Sequence, residues 1–133
     1  MAKKVLYYLN QFFGQIGGED QAHIAPMVKD EPVGPAAALE NMLQGEGKVY
    51  KTIICGDNFY NENVAEVEEV FAKLLEEETP DLVIAGPAFN AGRYGMACAG
   101  VANYFNDKVI PVVTGMYVEN PGLDTAKPVS YVV

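Results

Sequence analysis

Apolar and polar positions along this chain divide it into two kinds of segment. Short apolar runs favour buried strands and occupy residues 5–9, 50–55, 82–85 and 109–114, with a candidate fifth run at 129–133. Between them, apolar residues recur at helical spacing, which predicts helices over residues 35–43, 63–78 and 91–105. Strands that alternate with helices favour a parallel sheet covered on both faces.

We therefore expect one α/β domain over residues 1–133. Its sheet should be open and mostly parallel, with four to five strands and helices on both faces, of the Rossmann-like or flavodoxin-like kind. One connection in this pattern is unusually long. Residues 14–33 contain Gly17, Gly18, Glu19 and the only histidine, His23. Loops of this length are usually functional or mobile.

Glycine follows each predicted strand, at Gly14, Gly56, Gly86 and Gly115. In an open α/β sheet, ligands bind outside the carboxyl ends of the strands. The segments that leave those ends are residues 17–19, 56–58, 89–93 and 115–120. We expect these four segments to meet on one edge of the sheet and to form a binding site there.

The segment DLVIAGPAFNAGRYG, residues 81–95, combines a strand, a Gly-Pro break and a helix start. Asn90 is a good N-cap, so the helix should begin at Ala91, with Gly92 and Arg93 in its first turn. A cation is disfavoured there by about 0.3–1 kcal/mol, unless an anion lies in front of the turn. Asn90, Ala91, Gly92 and Arg93 are therefore candidates to bind a carboxylate or phosphate.

A plainer interpretation of Arg93 stays open. Its guanidinium would then pair with a nearby Asp or Glu, and the glycines would only allow close packing of the helix. Glu19, Asp57 and Asn58 lie in the other converging segments and are candidates for polar or cationic contacts. Turn formation or solvent exposure is the alternative for each of them. Together with Arg93 they suit a small zwitterion such as an amino acid, while catalytic residues remain unidentified.

Composition and charge narrow the classes of partner. The net charge of −9 argues against nucleic acid. Residues 61–81 contain eight acids and one base, which predicts the solvated face of one helix. No apolar run reaches the roughly 20 residues of a membrane span, and the N-terminus resembles a first strand rather than a signal peptide.

Cysteine and histidine usage is sparse. Cys55 and Cys98 form no CxxC pair, which favours a reducing cytoplasm and argues against a disulfide scaffold or zinc site. Cys98 is expected to be part of the core and Cys55 to be buried and inert, with a reactive Cys55 thiol beside the site as the alternative. Because His23 has no second histidine or cysteine near it in sequence, we expect no metal site.

Five stretches carry a resemblance to a known family: YYLNQFFGQIGGEDQAHI, VGPAAAL, TIICGDNFYNEN, PDLVIAGPAFNAGRYGMAC and IPVVTGMYVENPG. They resemble the N-terminal part of the substrate-specific component B, or selenoprotein B, of the glycine/sarcosine/betaine reductase complex. The related proline reductase subunit is more distant. The similarity extends from about residue 5 to residue 133, and GPAFNAGRYG and VTGMYVENPG are its most specific motifs.

The resemblance implies a cytoplasmic role in anaerobic amino-acid fermentation. The complex cleaves the C–N bond of glycine, sarcosine or betaine reductively and produces acetyl phosphate and an amine. Implied partners are a pyruvoyl-containing subunit, component A, which receives a carboxymethyl-selenoether, and component C, which forms acetyl phosphate. Thioredoxin supplies the electrons. A homo-oligomer is also open.

The chain departs from the family in length and redox chemistry. It contains neither the selenocysteine nor the cysteine-rich redox motif of the C-terminal half, and Cys55 and Cys98 do not match that motif. We therefore expect the N-terminal domain or a fragment of a longer subunit, with the selenocysteine or cysteine redox centre in its C-terminal part and no cofactor here. A naturally short relative of the family is the alternative. Alternatives are a non-catalytic module that binds a small anion or amino acid, a subunit-interaction domain with an exposed apolar edge, and, by fold analogy alone, a flavodoxin-like electron carrier.

Overall fold

Strands and helices alternate along the chain in the computed structural model, which describes residues 3–89 and 91–133. The strands are β1 Lys3–Leu9, β2 Met27–Lys29, β3 Gly47–Ile54, β4 Leu82–Phe89, β5 Val112–Met116 and β6 Tyr131–Val132. The helices are α1 Pro35–Met42, α2 Asp57–Glu62, α3 Val64–Glu77, α4 Gly92–Asp107 and α5 Leu123–Ala126. A single 3-10 turn, Glu19–Gln21, lies in the long loop after β1.

The six strands form one sheet in the order β2-β3-β1-β4-β5-β6. All neighbouring strands are parallel except β2, which runs antiparallel to β3 at one edge. Counted among themselves, the five parallel strands follow the order 2-1-3-4-5, which is the flavodoxin-like arrangement. The expected fold class is confirmed. The sheet has one strand more than expected because β2 forms inside the long loop.

Helices cover both faces of the sheet, but unequally. Alternation along β1 sends Leu6 and Tyr8 to one face, where the larger core also contains Phe71 of α3 and Phe105 of α4. Residues of α2 and α5 belong to the same core. The smaller core on the opposite face contains Ala36 of α1. Within the described residues, α1 is the only helix that contributes to it.

Two strand predictions need correction. The Gly-Pro break does not end β4 at Ala85, because pairing with β5 resumes at Phe89 opposite Met116 after an irregular stretch. Gly86 and Gly115 therefore lie within strands rather than after them. The strand predicted over residues 109–114 begins only at Val112, as β5. The backbone N–H groups of Lys108, Val109 and Ile110 donate instead to carbonyl groups at the end of α4 and form a turn.

The start of α4 also differs by one residue from the expectation. The helix begins at Gly92, and Ala91 is its N-cap in an extended conformation. Asn90, the predicted cap, lies outside the described residues. Differences of one residue are usual at helix ends. Arg93 remains in the first turn, as predicted.

The predicted helix at residues 63–78 is confirmed almost to its ends by α3. Val67, Phe71 and Leu74 are buried at helical spacing. The acidic side chains around this helix are exposed or half-buried, so the acidic run is the solvated face that the sequence predicted. Among the helices of the described part, none combines the length and apolar character that a bilayer crossing needs.

Candidate functional site

A cavity of about 310 Å³ opens at the carboxyl ends of β1, β3 and β4. It lies beside β1 and β4, where the order of the parallel strands reverses and where open α/β sheets bind ligands. Its lining comes from the exit of β1, the long loop, the start of α2 and the connection from β4 to α4. The lining residues are Asn10, Gln11, Phe12, Phe13, Gly18, Glu19, Asp57, Ala88, Phe89, Ala91 and Tyr94.

Two other cavities are weaker candidates for a ligand site. A groove of about 460 Å³ between the end of α4 and β6 is lined by residues 106, 109–112 and 128–131, which include no carboxylate, ammonium or guanidinium group. A cavity of about 310 Å³ beside β2, β3 and α3 is lined by Lys51, Lys73 and Glu77, but it does not lie at the point where the strand order reverses. Lys51 is already paired with Asp30. The cavity at the carboxyl ends is therefore the stronger candidate.

Asp57 is the buried charge of this cavity. It opens α2 and is only 7% exposed. Its Oδ2 accepts a hydrogen bond from Asn10 Nδ2 at 3.0 Å, and its backbone N–H donates to Gln11 Oε1 at 3.1 Å. Within residues 3–89 and 91–133, Oδ1 is buried and has no hydrogen-bond partner. An unpaired buried carboxylate oxygen is costly, so this atom is suited to receive a donor from a ligand.

The electrostatics of Asp57 follow from this placement. Burial raises the pKa of its carboxyl above the usual value. The hydrogen bond from Asn10 and the positive charge of Arg93 act against that rise, whereas the negative charge of Glu19 adds to it. Asp57, Arg93 and Glu19 therefore form one interacting charge cluster at the cavity.

A close backbone contact holds the long loop against the start of α2. Ala22 O accepts hydrogen bonds from the N–H groups of Asn58 at 2.8 Å and Phe59 at 3.1 Å. The N–H of Gly56 donates to Ile24 O at 3.0 Å. A Cβ on Gly56 would lie 2.3 Å from Ala22 O, so this approach requires glycine. The loop carbonyl thus satisfies the helix N-terminus that an anion would otherwise bind.

Arg93 is paired within the protein. Its Nη2 lies 2.8 Å and 2.7 Å from the two carboxylate oxygens of Glu19, and its Nη1 donates to Asn58 Oδ1. The side chains of Arg93 and Glu19 are 51% and 74% exposed. The structure thus contains the pairing with a nearby acid that the sequence left open. Binding of an external anion by Arg93 stays a prediction.

Aromatic rings form one wall of the cavity. The Phe13 ring lies 6.2 Å from that of Phe89 and 5.9 Å from that of Tyr94, between ring centroids. Phe89 has a positive φ of 51°, which costs about 1–3 kcal/mol in a non-glycine residue and is typical of functional sites. The Tyr94 hydroxyl is buried and, in the described part of the chain, unpartnered. Burial raises its pKa well above the usual value.

The fourth converging segment joins the site through Asn120. Its Nδ2 donates to Phe89 O at 3.0 Å and Ala91 O at 3.1 Å, and its Oδ1 accepts from the N–H of Gly122. A Cβ on Gly95 would lie 1.9 Å from the Asn120 side chain, so α4 approaches this loop only because it has glycine there. The expected convergence of the four segments is confirmed.

The sequence identified part of this site. Glu19, Asp57, Asn58, Ala91, Gly92 and Arg93 lie together at the cavity or beside it, as expected. Gln11 and Tyr94 were missed. Tyr94 directly follows Arg93 and is buried in the first turn of α4. A large aromatic residue next to the candidate Arg93 was the signal by which the sequence could have identified it.

The remaining candidates lie apart from this chemistry. His23 is exposed, and the described residues contain no group of three or more metal-ligating side chains close enough for a metal ion. Cys55 and Cys98 are buried as predicted. Burial raises the pKa of the Cys55 thiol to about 12 and that of Cys98 well above its usual value. Neither thiol is suited to form a reactive thiolate.

The structure is an open α/β domain with a cavity at its topological switch point. A sequence profile of the family described as "Glycine/sarcosine/betaine reductase selenoprotein B" matches residues 2–133. The chain belongs to this family. No solved structure matches it.

Individual relatives agree with this assignment. The chain is 53% identical, over its whole length, to the glycine reductase complex component B subunit gamma of Carboxydothermus hydrogenoformans. Over 91% of its length it is 47% identical to the sarcosine reductase complex component B subunit beta of Peptoclostridium acidaminophilum, and over 98% it is 46% identical to the betaine reductase subunit of the same organism. It covers 31%, 28% and 30% of these relatives and corresponds to their N-terminal part.

The contact at Gly56 generates a first prediction. Gly56→Ala should lower the free energy of unfolding by about 1–3 kcal/mol, because the new methyl group displaces the backbone of the long loop. Urea unfolding of the chain measures this loss. Gly92→Ala is the matched control, since its Cβ would meet only Pro121 at 3.6 Å. Equal stability of the two variants would contradict the close contact.

Asp57 generates a second prediction, on pH dependence. Because its folded pKa is raised, the stability that it contributes is present below the unfolded pKa of about 4 and is lost as pH rises through the folded pKa. Asp57→Asn cannot ionise, so its stability relative to wild type should increase from pH 4 to pH 7. Urea midpoints across this range test it, with exposed Asp20→Asn as control. Parallel curves for wild type and Asp57→Asn would exclude the raised pKa.

Proposed function

We propose that this domain forms part of the substrate-binding component of a glycine/sarcosine/betaine reductase. The observation that carries the proposal is the buried carboxylate of Asp57, with one oxygen unpaired in the described part of the chain, in a cavity beside Arg93. A cavity with an acid and a base suits a small zwitterion. The relatives are named for glycine, sarcosine and betaine, which are zwitterions of this kind.

In this proposal the domain holds the substrate and other parts of the complex carry out the chemistry. The reaction is the two-electron reductive cleavage of the substrate C–N bond, with a thiol reductant as electron donor and phosphate as acceptor of the acetyl group. Cys55 and Cys98 do not fit the redox centre, because both are buried with raised thiol pKa values. We therefore assign that centre to the longer subunit and the pyruvoyl group to a partner, with components A and C completing the reaction.

Different residues at the cavity would bind different groups of the substrate. Arg93, Gly92 in the first turn of α4 and the N-cap Ala91 face the substrate carboxylate. Asp57 and Asn58 provide polar or cationic contacts, and Glu19 makes its polar contact at the same site through Arg93. The apolar wall reduces the access of water, which strengthens each charged interaction. A cytoplasmic location, as expected from the cysteine usage, is part of the same proposal.

Kinetics of the complete reductase test this proposal through Arg93. Arg93→Ala removes a charge-assisted hydrogen bond worth about 1.5–3 kcal/mol, so KM for the amino-acid substrate should rise about 10-fold or more. Lys48→Ala removes an exposed cation on β3, outside the cavity lining, and should leave KM unchanged. An unchanged KM in Arg93→Ala would refute the role of Arg93 in binding.

A second function, docking of another subunit, is favoured by a specific observation. Phe12, Phe89, Tyr117 and Val118 are each more than half exposed on the connections that leave the carboxyl ends of β1, β4 and β5. The backbone N–H of Tyr117 donates to Phe89 O, so these side chains belong to one edge. Exposed apolar groups concentrated at one edge are typical of interaction surfaces. The relatives are named as subunits of complexes, which agrees with docking of other components here.

A charge placed on this edge tests the docking function. Val118→Asp should weaken association with the other subunits about 10-fold, because a carboxylate would be desolvated in the interface. Sedimentation of the mixed subunits measures the association. Met42→Asp, on exposed α1, is the control. If both variants assemble as wild type does, the carboxyl edge is not the docking surface.

A further inference from the structure

The carboxylate of Asp57 is held in a way that presents one oxygen. Asn10 binds Oδ2 and Gln11 binds the backbone N–H, so the orientation of Asp57 is set by the exit of β1. Oδ1 is left buried and, across residues 3–89 and 91–133, without a donor. Because Asn10 and Gln11 already make these contacts, a ligand is the natural source of that donor. A buried carboxylate oxygen that accepts no hydrogen bond favours a cationic ligand.

The Tyr94 hydroxyl is a second buried oxygen without a hydrogen-bond partner in the described part of the chain. Tyr94 is 1% exposed and lines the same cavity as Asp57. Two acceptors and the neighbouring aromatic faces suit an ammonium group and also tolerate methyl groups on its nitrogen.

Glu19 occupies the position that a ligand carboxylate would take. Both of its carboxylate oxygens bind one nitrogen of Arg93, and Glu19 itself lines the cavity. The pair is largely exposed, and such pairs contribute only about 0–1 kcal/mol. A ligand carboxylate can therefore replace Glu19 at little cost, with the same charge and hydrogen bonds for the guanidinium.

We infer that the cavity binds its zwitterionic ligand nitrogen-first, with the ammonium at Asp57 Oδ1 and Tyr94 Oη and the carboxylate at Arg93 in exchange for Glu19. This inference rests on the proposed function. It adds an orientation for the substrate and makes Glu19 an internal competitor for it. Asp57 and Glu19 are both acids of one site, yet their removal has opposite effects on affinity.

Calorimetry on the complete component B tests this orientation with four probes: glycine, betaine, acetate and methylammonium. Asp57→Asn should weaken glycine at least 10-fold. It should weaken betaine less, because the betaine nitrogen has no N–H to donate to Oδ1, and it should not weaken acetate. Glu19→Gln should tighten glycine, betaine and acetate about 3- to 10-fold and leave methylammonium unchanged. Asp20→Asn, an exposed acid beside Glu19, is the control and should change none of the four affinities.

The outcomes separate the two proposals. If wild-type protein binds glycine and Asp57→Asn weakens it, but Glu19→Gln weakens it too or has no effect, the exchange at Arg93 is wrong and the proposed function stands. If Asp57→Asn weakens acetate as much as glycine, the nitrogen-first orientation is wrong. If neither Asp57→Asn nor Arg93→Ala changes the affinity for glycine or for betaine relative to wild type, the cavity is not the substrate site and both proposals fail.

Discussion

The contact between the backbones of Gly56 and Ala22 is the constraint on which the cavity depends. It joins the long loop to the start of α2, because the carbonyl of Ala22 accepts hydrogen bonds from the first amides of that helix. The approach is closer than any side chain at residue 56 permits. It sets where Asp57 enters the cavity and keeps Glu19, three residues before Ala22, within reach of Arg93 on α4. A loop that would otherwise move freely is thereby made part of the site.

Asp57 shows how such a site differs from the rest of the core. Most buried side chains here are apolar and pack on the two faces of the sheet, whereas Asp57 is a buried carboxylate with one oxygen unpaired in the described residues. Burial disfavours its charged form, so the group reduces stability at neutral pH. Binding sites commonly carry such a cost, since a group ready for a ligand is by definition not satisfied by the protein.

Membership in the reductase family gives this geometry a context. The chain covers about 30% of the length of the relatives that it matches, in their N-terminal part. Both of its thiols are buried in the core, whereas Glu19 and Asp57 line the cavity at the carboxyl edge and Arg93 pairs with Glu19 beside it. The exposed apolar groups at the same edge would allow a partner to close the cavity. The proposed substrate binding and the proposed subunit docking are therefore compatible with each other on one surface.

Local pattern was sufficient for much of the fold. The periodicity of α3 and the apolar runs of β1 and β3 determine which faces are buried, and the order of strands and helices determines a parallel sheet. Glu19, Asp57 and Arg93 were also predictable as neighbours, because strands of a parallel sheet direct their exits to one edge. Only the tertiary structure decided that β2 and α2 form, that Arg93 pairs with Glu19, and that Tyr94 lines the same cavity as Asp57. Those outcomes depend on contacts across long stretches of chain, 47 residues for Asn10 and Asp57 and 74 for Glu19 and Arg93, which no local pattern encodes.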